Sequence, residues 1–365
     1  MPRGGAHFSS EELTEVLGYY DIGVIHEVKP LSAGNRRAPK MVIVSEHGKF
    51  LLKRRPKGKD DFYRVAFAHA VHNHLAGSAF PVSSLVATSE EDSTVLQLNN
   101  HVYEFFRFVD GCRYDGSSEA TVDAGRQLAK FHQCLTDFAC QWKPLAGSFH
   151  DSTTVRKHLK GTPTVLSRAQ SQHTNDTKSN SATTGEPSHE QPATNHERRI
   201  AETLMTLYNA SSVRVNELGF DSWPQQIVHG DWHPGNMLFA DRKVIAVLDF
   251  DSVKLAATVT DLANGMLQFS IVGNRPNPAD WPDYFDQAKL TQFLNGYREV
   301  ICLDEYQLNC LIDLMVETMI AEAVLPIAAT GFFGNLSGAD FLKMIQRKAE
   351  WLNKNHEKLT EAITA

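Results

Sequence analysis

Two adjacent runs restrict this chain's architecture more than any other feature: Val228-His-Gly-Asp-Trp-His-Pro-Gly-Asn-Met-Leu-Phe239 and, after a polar turn, Val244-Ile-Ala-Val-Leu-Asp-Phe-Asp251. The strand-like Gln226-Ile-Val228 enters a loop that holds Asp231 and Asn236. A second strand-like piece, Asn236-Met-Leu-Phe239, then turns through Ala240-Asp-Arg-Lys243 into a third that ends on Asp249. A hairpin of this kind presents Asn236 before one strand and Asp249 after the next, which brings both to one metal ion. By itself a His-Gly-Asp tripeptide says little, and Asp-Phe-Asp at a strand end also caps turns. The order of the parts carries the weight. A carboxylate at Asp231, an amide at Asn236 and a carboxylate at Asp249 are what phosphoryl transfer from a metal–nucleotide complex requires: one base and two oxygen ligands for Mg²⁺.

The arrangement is that of a protein-kinase catalytic loop and its metal-binding Asp in a variant spelling. With Trp232-His-Pro-Gly235 in its middle, it resembles the aminoglycoside phosphotransferase and choline kinase superfamily of small-molecule kinases. The resemblance extends over about residues 31–262 and includes Leu-Ala-Lys-Phe-His132 and Thr260-Asp261-Leu-Ala263. Arg64-Val-Ala-Phe67 and Phe80-Pro-Val82 are similar to the homoserine kinase-like branch. It implies an α+β, bilobal protein-kinase-like fold: a small β-rich lobe with one helix over residues 1–108 and a large, mainly helical lobe over 109–365. It also implies ATP as phosphate donor, Mg²⁺ as cofactor, and the hydroxyl of an amino alcohol, sugar or aminoglycoside as acceptor.

The same resemblance assigns roles. Asp231 aligns the acceptor hydroxyl, Asn236 and Asp249 hold Mg²⁺, and His229 is a structural residue joining the catalytic loop to the metal-site segment. Ser32 and Gly34 lie in the phosphate-covering turn, Lys53 contacts the α- and β-phosphates, and Arg107, Phe108 and Val109 form the hinge that meets the nucleotide. His132 reads as a core histidine.

Two departures bear on activity. The turn at residues 31–36 has one glycine rather than a Gly-x-Gly-x-x-Gly pattern. The helix expected after Lys53 has no acidic residue between Asp61 and Glu90, where the family usually has a Glu that pairs with the lysine; the aligned neighbourhood is Phe67-Ala-His-Ala-Val-His-Asn-His74. Either Asp60 or Asp61 substitutes, or the phosphates alone steer Lys53. The second is the expectation, because an Asp at a helix start caps free N–H groups. The missing Glu favours an alternative, a nucleotide-binding pseudokinase or scaffold without turnover, which intact Asp231, Asn236 and Asp249 oppose. Asp251 stands where protein kinases have Gly, and Asp tolerates the left-handed backbone such a turn needs.

Elsewhere the pattern agrees. Strands are expected at 23–31, 39–44, 50–54, 93–98 and 101–108, with a tight turn at Asn99-Asn100, and a helix at 61–76. Helical spacing marks 122–138, 199–210, 307–325 and 340–359. From Ser167 to Arg199 there is no Val, Ile, Leu, Met or aromatic residue, so a disordered insertion is expected at 167–198. The basic run Lys53-Arg-Arg-Pro-Lys-Gly-Lys59 is one patch in a chain of net charge −7, which argues against nucleic acid as a partner. Five cysteines, an odd number without Cys-x-x-Cys pairing, and the lack of a signal-like or membrane-spanning apolar run lead us to expect a cytoplasmic protein. Asp280, Trp281, Asp283 and Tyr284 are candidates to meet a cationic substrate, and Phe332-Phe-Gly334 to line a pocket.

Overall fold

The computed structural model describes residues 7–31, 38–178, 195–273 and 275–364. It divides into two compact units: Met1–Ala146 with Gln226–Leu255, and Gly147–Gln225 with Ala256–Ala365.

The first unit begins with helix α1 (Ser10–Leu17), opened by a capping box in which Ser9 and Glu12 satisfy each other's backbone N–H groups. Strands β1 (Ile25–Pro30), β2 (Lys40–Ser45), β3 (Gly48–Arg54), β4 (Val95–Leu98) and β5 (His101–Arg107) form an antiparallel sheet in the order β1-β2-β3-β5-β4. Asn99 and Asn100 both take positive φ, as the two-residue turn between β4 and β5 requires. Successive residues alternate faces. Phe50, Leu52, Tyr103 and Phe105 are buried together with Val16 and Leu17 of α1 in an apolar layer. The intervening residues place Lys53 directly opposite Glu104 on one neighbour strand and opposite Lys40 on the other.

Helix α2 (Phe62–Gly77) starts at Asp61, whose side chain accepts from Arg64 N. Helix α3 (Ser118–Cys134) buries Leu128 and Phe131. Strand β6 (Gln225–Val228) leads into the loop, and β7 (Met237–Ala240) and β8 (Lys243–Val247) make the hairpin, turning on Asp241 and Arg242 at positive φ.

The expected boundary at residue 108 differs from this division, because the hairpin is stitched into the first unit. Cys112 and Phe239 exchange backbone hydrogen bonds of 2.7 and 2.8 Å. Asp123 of α3 accepts from Val244 N at 2.8 Å.

The second unit is helical: α4 (Thr153–Lys178), α5 (Asn195–Glu217), α6 (Thr258–Ser270), α7 (Gln287–Arg298), α8 (Glu305–Asn309), α9 (Leu311–Thr330), α10 (Gly338–Lys354) and α11 (His356–Thr364). Helix α9 is buried over most of its length and packs against α4, α5, α6 and α10, which explains an apolar run with no polar face. The ends of the expected insertion at 167–198 are helical instead: α4 continues to Lys178 and α5 starts at Asn195. Ser167 and Glu197 are buried and hydrogen-bonded to each other, so these two polar groups leave water as a pair. The middle of that stretch, 179–194, lies outside the described residues.

Among the described residues, no helix is long and apolar enough to cross a membrane.

Candidate active site

The loop between β6 and β7 is shaped by a left-handed turn and a close approach, both at Gly230. Gly230 takes φ +75°, and a Cβ there would lie 2.5 Å from the Ser252 carbonyl oxygen. Only glycine meets both demands, which accounts for the His-Gly-Asp spelling. His229 is buried, its Nε2 3.3 Å from the Leu248 carbonyl, and its ring packs on Phe131, Trp232 and Phe250. It joins the loop to the segment that carries Asp249. His132 is likewise buried, beside Phe131.

Asp231 emerges from this anchored base with its side chain 40% exposed. Asn236 Nδ2 donates to the Asp231 carbonyl at 3.0 Å and to Asp231 Oδ2 at 3.1 Å. The amide nitrogen is thereby committed, and the carbonyl oxygen is the atom left for a cation. Asn236 O accepts from Leu248 N at 2.8 Å, so the backbones preceding Asp249 and carrying Asn236 are held side by side. Asn236 and Asp249 offer only oxygen, a donor set that suits a hard divalent cation such as Mg²⁺.

Lys53, Asn236 and Asp249 line one cavity of about 280 Å³. Leu31, Ala38, Leu51, Phe106 and Leu248 make its apolar wall, and Lys40, Arg55 and Lys59 add positive charge. Arg107, Phe108 and Val109 line an adjacent cavity of about 610 Å³ that shares Leu31, Leu51, Phe106 and Leu248. The Arg107 guanidinium turns away, donating to the His47 carbonyl at 3.3 Å over the Phe50 ring, and Phe108 N–H is used on the Lys49 carbonyl at 2.9 Å. Ser32 and Gly34 lie outside the described residues.

The partner of Lys53 corrects the sequence expectation. Lys53 Nζ lies 3.3 Å from Glu104 Oε2, 3.5 Å from Asp251 Oδ1 and 3.6 Å from Asp249 Oδ1. Neither proposed substitute reaches it: Asp61 caps α2, and Asp60 pairs with Lys57 at 3.1 Å. The acid therefore comes from the neighbouring strand. Helix α2 contributes His69 instead, 3.0 Å from the same glutamate.

Arg55 completes the cluster, its Nη2 2.9 Å from Glu104 and 2.8 Å from Asp251. Burial alone would neutralise Glu104, but Lys53, Arg55 and His69 hold its carboxyl well below the usual range. Burial likewise opposes the charge on Lys53, and Glu104, Asp251 and Asp249 together raise its pKa. Lys40 is pushed the other way, by burial and by Lys53 across the strand pair. Nearby, His72 is lowered to about 4, chiefly by burial, and donates to the Ser83 carbonyl as a neutral ring.

A second correction concerns the turn. Asp249, not Asp251, adopts the left-handed backbone, at φ 61° and ψ 70°.

Glu104, Arg55 and Lys40 were missed in the sequence. Glu104 had a signal, a lone acid inside the apolar Val102-Tyr-Glu-Phe-Phe106. Two of the candidate substrate residues have internal partners: Asp283 pairs with Arg347 at 2.7 Å, and Trp281 Nε1 donates to the Arg275 carbonyl at 2.9 Å, while Tyr284 is exposed. Phe333 stacks on Phe341 with ring centroids 3.8 Å apart.

A family model described as the phosphotransferase enzyme family matches residues 27–301. No curated protein matches the chain in sequence. Solved structures similar in fold include a microcompartment-associated aminopropanol kinase (TM-score 0.66, 12% identity, 96% of this chain and 99% of that one). An amicoumacin kinase in complex with AMP-PNP, Ca²⁺ and Ami is also similar (TM-score 0.64, 13% identity, 95% and 94%). A third is an aminoglycoside phosphotransferase from Alicyclobacillus acidocaldarius (TM-score 0.63, 14% identity, 96% and 96%).

Proposed function

This chain belongs to the phosphotransferase enzyme family, and on that premise we propose that it is an ATP-dependent kinase that phosphorylates a hydroxyl of a small molecule. The observation that carries the reading is the convergence of Lys53, Asn236 and Asp249 on one cavity, with Asp231 tied to Asn236. The apolar wall suits a base and ribose, and the charged end suits phosphates. Lys40 and Lys53 stand directly opposite on adjacent strands, an arrangement that a polyanion relieves.

Asn236 and Asp249 would hold Mg²⁺, which when bound supplies charge neutralisation at the phosphate oxygens. Asp231, with Oδ2 fixed by Asn236 and the side chain open to solvent, orients the acceptor hydroxyl and takes its proton. Glu104 supplies the acid whose absence from α2 favoured a scaffold without turnover. The acceptor classes named for structural neighbours, aminopropanol, amicoumacin and aminoglycosides, make amino alcohols and amino sugars the first to try.

An ATP-consumption screen with Mg²⁺ against amino alcohols, sugars and aminoglycosides tests the reading. We expect acceptor-dependent turnover that falls about a hundred- to ten-thousandfold in Asp231→Asn, while AMP-PNP affinity is retained. Equal turnover in that variant would remove Asp231 from its role, and no ATP consumption with any acceptor class would sink the proposal.

A further inference from the structure

We infer that Arg55 and Asp251 form a tether that holds Asp249 in its left-handed conformation, making both positioning residues for the metal site and not further ligands of it. The inference rests on the reading of Asp249 as a cation ligand. Upstream of Asp249 the chain is pinned: Val247 N donates to the Pro81 carbonyl and Leu248 N to the Asn236 carbonyl, both at 2.8 Å. Asp249 then takes φ 61°, a conformation that costs an L-residue energy and persists where the surrounding structure holds it. Something must pin the chain downstream as well.

Two residues do so. Phe250 is buried, its ring 4.9 Å from that of His72 and 5.3 Å from that of His229. Asp251 has its Oδ1 2.8 Å from Arg55 Nη2, with side chains only 10% and 5% exposed. Arg55 is itself held at three points: its backbone N–H donates to the Val102 carbonyl at 2.8 Å, Nη1 to the Lys59 carbonyl at 3.1 Å, and Nη2 to Glu104 at 2.9 Å. The guanidinium fork divides its work, Nη1 holding the Lys59 carbonyl while Nη2 hydrogen-bonds Glu104 and forms the ion pair with Asp251, a division that the one nitrogen of a lysine does not reproduce.

The same geometry argues against Asp251 as a ligand. Its Oδ1 faces Arg55 and Lys53, and its Oδ2 lies 3.7 Å from Lys59. A carboxylate ringed by three cations is a poor place for a further one. Asp249, by contrast, is 45% exposed.

The test is the gain in AMP-PNP affinity on adding Mg²⁺, measured by calorimetry on the full chain. Asp251→Asn and Arg55→Met should each reduce that gain about ten- to a hundredfold, the usual effect of removing groups that orient a ligand. The double variant should be no weaker than either single one, since both break one linkage. If Arg55→Met does not fold, Arg55→Lys, which keeps the charge and loses the fork, takes its place with the same expectation. A full gain in the Arg55 variant together with a loss in Asp251→Asn would make Asp251 a direct ligand and overturn the tether. Lower melting temperatures with an unchanged gain would overturn it as well. A wild-type chain with no gain from Mg²⁺ would overturn the kinase reading itself, a result distinguishable from either.

Discussion

Glu104 in the first unit and Glu317 in the second are both almost wholly buried glutamates, yet their surroundings drive them in opposite directions. Glu104 lies among Lys53, Arg55 and His69. Glu317, on α9, has His150 at 3.0 Å and otherwise neutral donors: the Asp151 backbone N–H at 2.9 Å and Ser212 Oγ at 3.1 Å. Burial acts on both, and only Glu104 has enough positive charge to overcome it. Its carboxyl is held well below the usual range, while burial leaves that of Glu317 raised. His150 faces two acceptors, Glu317 and Asn216 Oδ1; burial opposes its charge, but these partners raise its pKa. The first cluster concentrates charge on a cavity wall. The second is a hydrogen-bonded group that fastens the segment before α4 to α5 and α9. Burial of an acid is not what marks a site; the number of cations converging on it is.

The largest expected effect that tests this contrast is Lys53→Met. It leaves Glu104, Asp249 and Asp251 with Arg55, and should lower stability by about 3–5 kcal/mol while abolishing nucleotide binding. Urea unfolding without nucleotide checks the first part. Wild-type stability would revive the view that phosphates alone hold the lysine.

Next come the two acids themselves. Glu104→Gln removes the hub of a charged network, and a loss of about 3 kcal/mol is expected. Glu317→Gln keeps hydrogen-bonding capacity for Ser212 and the Asp151 N–H, and about 1 kcal/mol is expected. Similar losses in the two variants would erase the distinction.

A pH series sharpens it further. The folded pKa of Glu104 is depressed, so its contribution is present above the unfolded value of 4.5 and is lost as pH falls through the folded one. Glu317 and His150 are both raised. Their contributions are complete below the unfolded values, 4.5 and 6.5, and are lost as pH rises through the folded ones. Glu104→Gln should therefore flatten the acid limb of the stability profile and Glu317→Gln the limb at rising pH. Melting curves from acid to mildly alkaline pH in which one variant flattened both limbs would refute the separation.

The smallest effect belongs to Asp61→Ala, which removes an N-cap and should cost about 1 kcal/mol with unchanged Mg²⁺–AMP-PNP affinity. A drop in that affinity would tie Asp61 to the charged cluster after all.

The sequence by itself determined the parts that are close neighbours along the chain. Gly230, Asp231, Asn236 and the hairpin to Asp249 were legible because their geometry depends on local turns and strand alternation, and the tight turn at Asn99-Asn100 for the same reason. The capping box Ser9-x-x-Glu12 was equally local and was overlooked. Tertiary structure alone decided which acid meets Lys53. That choice follows from β3 pairing with β5, a register between strands separated by a helix and a further strand, and no local spacing encodes it. The same is true of Arg55 and Asp251, and of the hairpin's membership in the first unit. Conformational preference acts over a few residues, whereas charge pairing acts over a few ångströms, and only the folded chain makes the two distances coincide.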